Sequence, residues 1–252
     1  MKILILQHIK IEDPGYIKDL MIKDGANLTT IELDEGEKIP DDISKFDAMF
    51  CMGGPMDTWM EKDYPWLVEE KKRIKEFVID LKKPYLGFCL GCQLLGEVVG
   101  GKVVKSNKPE IGMLDINFSQ DKSLDPLFSE FPNKITSLQW HSYEVQGLEN
   151  NKNIIHLASS PETKYQIFKY QSHAYGIQFH IEVKDTTVNE WGCVPEYKSA
   201  LEKQLGPNAL EKFDNEAQAN MKNMNNYSYI LYSKFKSDIL KIQYEGICQY
   251  LN

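Results

Sequence analysis

The 252-residue chain is poor in the residues that build metal centres and disulfide frameworks, with five histidines and five cysteines. An odd count of thiols (Cys51, Cys89, Cys92, Cys193, Cys248) fits reduced cysteines better than paired ones. Cys89 and Cys92 lack a second close Cys or His pair, so no metal is expected. Long apolar runs are missing too: nothing approaches the roughly 18 residues a membrane helix needs. The apolar start, Met1 to Leu6, is followed at once by His8, Lys10, Glu12 and Asp13, too soon for a secretory signal. A cytoplasmic setting without membrane contact is therefore expected. No run of Lys or Arg dominates any segment, and the net charge is −8 with a pI near 5.3, which argues against nucleic acid as a partner. There is no P-loop, so amination chemistry that consumes ATP would belong to a separate partner. Internal repeats and low-complexity linkers are also missing. Apolar residues (42%) and charged residues (26%) stand in ordinary globular proportion.

What is present is an alternation of strand-like and helix-like segments. Lys2–Gln7, Leu28–Leu33, Asp47–Met52 and Tyr85–Phe88 read as strands, the third almost wholly apolar and so buried on both faces. Between them, Asp13-Pro14 opens a helix to Asp24, and Tyr64–Lys82 has helical apolar spacing. Leu90–Val99 reads as a helix stopped by Gly100-Gly101. From Lys102 to Val183 strands dominate: Lys102–Lys105, Ile111–Phe118, Ile135–Leu138, Ile154–Ala158, Tyr165–Tyr170 and Ala174–Phe179. The expectation is a mostly parallel open α/β sheet with an antiparallel extension. Beyond about residue 185 the pattern turns helical: Pro195–Leu205, Pro207 to Met224, and Tyr227 to Leu251. The apolar stripe of this tail (Ile230, Leu231, Phe235, Ile239, Ile242, Ile247) is expected to pack on the core or on a second copy. Residues 1–190 form one expected unit and residues 191–252 a helical extension.

Three short motifs carry chemistry. Gly87-Phe88-Cys89-Leu90-Gly91 places a cysteine at a tight strand-to-helix turn, where a helix N-terminus favours a thiolate. His180-Ile181-Glu182 ends an apolar strand, so residues i and i+2 share a side and the carboxylate can orient the imidazole. Met52-Gly53-Gly54-Pro55 follows the buried third strand, where glycines let backbone N–H groups approach a ligand. Gly54 and Leu90 are the candidate donors of an oxyanion hole. Singly, each motif has an ordinary structural reading: a small buried thiol, a surface ion pair, a plain turn. All three fall at strand ends, where open α/β sheets place their sites. Cys89-Leu90-Gly91-Cys92 also has the C-x-x-C spacing of a redox site, but that reading leaves Gly53-Gly54, Gln93 and His180-x-Glu182 unexplained.

Phe88-Cys89-Leu90-Gly91-Cys92-Gln93, Gly53-Gly54-Pro55 and Gly176-Ile177-Gln178-Phe179-His180-Ile181-Glu182 together resemble the motifs of class I glutamine amidotransferase domains, closest to a free-standing branch similar to GMP synthase. The resemblance covers residues 1 to 190. It implies a flavodoxin-like sheet with helices on both faces. It also implies hydrolysis of a glutamine γ-amide through a glutamyl-thioester, with Cys89, His180 and Glu182 as triad and no cofactor. By the same resemblance Gln93, Gly53 and the main chain around Ser142 and Tyr143 would hold the substrate. Cys92 and Trp140 depart from the residues common there. Three readings fit this resemblance: a stand-alone hydrolase of γ-glutamyl amides or peptides, a glutaminase feeding ammonia to a separate synthetase subunit, or a catalytically silent scaffold. Homodimerisation is a further expectation.

Overall fold

The computed structural model describes residues 1–241. Nine strands form one sheet in the order β2-β1-β3-β4-β9-β8-β7-β5-β6. In chain order they are β1 (Lys2–Gln7), β2 (Asn27–Glu32), β3 (Ala48–Cys51), β4 (Tyr85–Phe88), β5 (Lys102–Phe118), β6 (Lys134–Gln146), β7 (Ile154–Ser159), β8 (Ile167–Tyr170) and β9 (Ala174–Ile177). Strands β2, β1, β3, β4 and β9 run parallel, and the remaining pairings are antiparallel. This is the expected α/β architecture.

Strand β1 shows why the sheet needs cover on both sides. Its residues alternate in orientation, so Ile3 and Ile5 join one core cluster while Leu4 and Leu6 join the other. Helices α2 (Trp66–Lys75) and α3 (Leu90–Val98) serve the second cluster through Leu67, Ile74, Leu94 and Leu95. The first cluster receives α1 (Gly15–Lys23) and the C-terminal helices α4 (Thr187–Trp191), α5 (Pro195–Leu205) and α6 (Ala209–Lys234). α5 begins at Pro195, whose missing N–H is no loss in a first turn, and ends at Gly206 with φ +89°. α6 buries Phe213, Ala217, Met221, Met224, Leu231 and Tyr232. Of the stripe expected from the sequence, Leu231 and Phe235 are buried, and Ile230 and Ile239 pack partly buried against the same cluster.

The elements differ from expectation at three places. The Asn225-Asn226 step, read as a helix break, lies inside α6 because burial of Met224 and Ser228 outweighs weak local propensity. The segment Tyr64–Lys82 is regular only to Lys75 and continues as a wider turn through Glu76–Asp80. β6 runs well beyond Leu138, because a long antiparallel pairing with β5 carries it through Tyr143 to Gln146. Ile242, Ile247 and Cys248 lie outside the described residues.

Candidate active site

The parallel strands deliver three motifs to one edge. Phe88 pairs with Ile177 and Cys51 with Gly87, so the residues that follow β3, β4 and β9 emerge together. These are Gly53-Gly54, Cys89 and His180. Cys89 caps α3 with φ +50° and ψ −103°, a conformation that L-residues adopt only at a cost. Two neighbouring backbone bonds hold it there: Cys89 N–H donates to Ile177 O (2.9 Å) and Gly91 N–H to Met52 O (3.1 Å). Gly91 is required by close approach, since a Cβ there would lie 2.1 Å from Cys51 O.

His180 and Glu182 are both buried. His180 Nδ1 lies 2.7 Å from Glu182 Oε1, and Glu182 Oε2 accepts from the Ile181 N–H at 3.0 Å. The His180 N–H bonds Leu138 O (2.9 Å), tying the motif to β6. Burial alone would lower the His180 pKa, but the Glu182 charge and the Cys89 sulfur outweigh it and hold the imidazole well above the usual histidine range. The indole of Trp191 packs edge-on against this ring at 4.6 Å between centroids.

In front of Cys89 lies a cavity of about 200 Å³. Gly54, Leu90, Gln93, Ser142 and Tyr143 line it together with Cys89. Gly53 lies to the side of it and abuts His180: a Cβ there would sit 3.3 Å from His180 Cε1. Gln93 Nε2 donates to Tyr143 O and to Gln178 Oε1, both at 3.2 Å, and so ties α3 to the cavity wall. Glu110 steadies that wall from behind, accepting from Gln166 Nε2 (2.8 Å) and facing His141 Nε2 at 3.4 Å. Burial would raise its pKa, yet the neighbouring His141 ring and the hydroxyl groups of Ser160 and Thr163 hold it below the ordinary carboxylate value. Cys92 points elsewhere: it is fully buried, with its Sγ 2.9 Å from where a Cβ on Gly176 would sit. Burial raises its thiol pKa well above the ordinary value.

Glu12, Glu70, Glu196, Tyr197 and Ala200 were not singled out from sequence as residues of the site. Glu196, Tyr197 and Ala200 of α5 close the cavity. Trp140 docks that helix, its Nε1 donating to Tyr197 O at 3.3 Å and its ring meeting Phe213 of α6 at 5.1 Å. Glu12 is 2% exposed beside Gly53 and His180 and accepts a hydrogen bond from the Tyr197 hydroxyl. Behind the Gly53-Gly54 loop, His8 places Nδ1 2.8 Å from Gly53 O and Nε2 2.9 Å from Glu70 Oε1. Cys51 Sγ donates to the same Glu70 oxygen at 3.3 Å.

A buried cysteine, histidine and glutamate thus stand together at the carboxyl edge of a mostly parallel sheet. Residues 16–190 match the family model described as glutamine amidotransferase class-I, and the chain belongs to that family. It is 32% identical over 177 residues to a glutamine-hydrolyzing GMP synthase chain of Sulfolobus acidocaldarius, spanning 68% of this chain and 87% of that one. It is 27% identical over 184 residues to the glutamine amidotransferase-like protein YfeJ of Salmonella typhimurium, spanning 72% of this chain and 76% of that one. A crystal structure of a glutamine amidotransferase from Thermotoga maritima superposes with a TM-score of 0.82 at 27% identity. It covers 96% of this chain and 99% of its own, a likeness that has to include helices beyond residue 190. Among the described residues no helix is long and apolar enough to cross a membrane.

Proposed function

We propose that the protein is a cysteine-dependent amidohydrolase that cleaves the γ-amide of glutamine, or of a γ-glutamyl amide, through a glutamyl-thioester. The observation that carries this reading is the strained Cys89 at the β4–α3 elbow, beside an imidazole whose far nitrogen is held by Glu182. A cationic imidazole next to a thiol favours its nucleophilic, ionised form. Cys89 sulfur attacks the γ-carbonyl carbon, and the carbonyl oxygen becomes an oxyanion. His180 then gives its proton to the departing ammonia or amine, leaving the acyl group on sulfur. Water, deprotonated by His180, attacks the thioester; glutamate leaves and the thiolate returns.

Two backbone donors suit the oxyanion. The Leu90 N–H is at the first position of α3, where helical geometry offers it no partner. Gly54 shares a peptide unit with the Gly53 carbonyl that His8 binds. A planar trans peptide directs its N–H away from its C=O, so the His8 bond turns the Gly54 N–H away from the buried pair and toward the cavity it lines. Gln93 Oε1 and the main chain at Ser142 and Tyr143 offer acceptors and donors for the amino-acid end of the substrate.

A second reading concerns autonomy. The Sulfolobus relative carries a GMP synthase name, and in an arrangement of that kind a separate synthetase would receive ammonia from this site. Closure of the cavity by α5 of the same chain favours a site that is complete by itself and turns over a substituted γ-glutamyl amide. The test gives the purified protein glutamine and a panel of γ-glutamyl amides, measures released glutamate, and maps a glutamine-analogue alkylation by mass spectrometry. Labelling of Cys89, with turnover lost in Cys89→Ala, is expected; labelling of Cys92 alone would refute the mechanism. Slow turnover of every substrate, raised by adding a separate synthetase, would favour the ammonia donor.

A further inference from the structure

Glu12 is a fully buried carboxylate at the triad that the proposed reaction does not use. It lies in the turn after β1, its N–H bonded to Ile9 O at 3.0 Å. A Cβ added to Gly53 would fall 2.0 Å from Glu12 Oε2 and 3.3 Å from His180 Cε1. The carboxylate and the imidazole edge therefore face one another across a glycine that leaves the space open. Glu12 Oε1 is bound by the Tyr197 hydroxyl, which comes from α5, 185 residues away in the chain. Trp191 closes the other side, with its ring on His180 and its Nε1 donating to Ile11 O at 3.2 Å.

We propose that Glu12 is a second carboxylate acting on the triad histidine, a positioning residue that shares with Glu182 the control of His180 protonation and is itself held in place by Tyr197 of the C-terminal extension. The inference rests on His180 being the base of the proposed reaction. The charged and titratable groups around Glu12 are His180 and Glu182 beyond β9, His8 at the end of β1, and Tyr197 on α5. Burial pushes Glu12 up to about 7, with the Glu182 charge adding to the rise, while His180, the Tyr197 hydroxyl and His8 pull in the opposite direction. Near neutrality the group thus exists in both forms. When ionised, it adds negative charge beside the imidazole and keeps the proton on it; when neutral, it withdraws that support. The hydroxyl of Tyr197 tips this balance toward the ionised form. The helical extension thereby reaches the nucleophile without touching it: Tyr197 acts on Glu12, Glu12 on His180, and His180 on the Cys89 sulfur.

The test reads His180 directly. Ring ¹⁵N spectra of uniformly labelled full-length protein are followed through a pH titration in wild type, Glu12→Gln and Tyr197→Phe, without substrate; kcat/KM for glutamate release is profiled against pH in parallel. Loss of the Glu12 charge is expected to move the His180 midpoint to lower pH by about one unit or more. The alkaline limb of kcat/KM should follow it. Tyr197→Phe keeps the ring and its packing but removes the donor, so it should move the midpoint in the same direction by less. It decides the matter if Glu12→Gln fails to fold. Unchanged midpoints in both variants, or in Tyr197→Phe alone where Glu12→Gln is unfolded, would overturn the inference. Because the spectra need no turnover, a protein that releases no glutamate from any substrate defeats the proposed function and leaves the His180 midpoints to decide the Glu12 coupling.

Discussion

Replacing Glu70 by Gln tests the buried pair that backs the Gly53-Gly54 loop. Both His8 ring nitrogens face acceptors, Gly53 O at 2.8 Å and Glu70 Oε1 at 2.9 Å, so satisfying both requires two N–H groups and a cationic ring. Burial opposes that charge, but Glu70 and the two hydrogen bonds outweigh it and raise the His8 pKa. Removing one partner of a buried ion pair costs about 3–5 kcal/mol, of which the amide oxygen of a glutamine, still able to accept from Nε2, recovers about 1 kcal/mol. The net loss is then about 2–4 kcal/mol, and at about 2–4 °C per kcal/mol for a chain of this size the melting temperature falls by roughly 5–15 °C. The sign of the pH dependence follows from linkage. A histidine whose folded pKa is raised adds stability that is complete below its unfolded value and disappears as pH climbs through the folded one. Urea titrations of wild type and Glu70→Gln at about pH 6 and about pH 9 should therefore show a stability gap that narrows in alkali. A gap below about 1 kcal/mol in acid, or one that widens with pH, would refute the cationic assignment of His8.

Two further substitutions probe the backbone around the site. Gly53→Ala places a methyl group against Glu12 Oε2 and the His180 edge, and kcat/KM should drop about a hundredfold; near wild-type kinetics would mean that the turn has slack. Ser228→Ala removes the α6 hydroxyl that donates to Ile181 O at 2.6 Å and leaves a buried carbonyl unpaired, at a cost of about 1–3 kcal/mol measurable as a lower urea midpoint.

The three motifs of the candidate site were legible in the sequence because each is local: an elbow, a strand end and a glycine turn need only neighbouring residues to announce themselves. Parallel pairing then brings them together, as an α/β alternation requires. The residues that complete the site are nonlocal. Glu12 looks like one charge in a polar turn until Tyr197 meets it, and Glu70 sits on a helix rich in charged residues with nothing to mark it as the buried one. Trp140 was visible only as a departure from the family pattern; its partners, Tyr197 and Phe213, belong to helices outside that pattern. α4 escaped detection because five residues are too few to display a helical period.

The backbone at Cys89 has a consequence for how this sequence can drift. A residue with a side chain at φ +50° and ψ −103° pays on the order of 1–3 kcal/mol, a penalty that glycine would largely escape. At this position the fold and the proposed chemistry ask for different residues, so selection for a sturdier protein and selection for turnover pull apart. A lineage released from the second demand has an easy substitution that retains and even strengthens the fold while silencing the nucleophile. The elbow is thus where an amidotransferase fold can pass most readily from catalyst to inert scaffold.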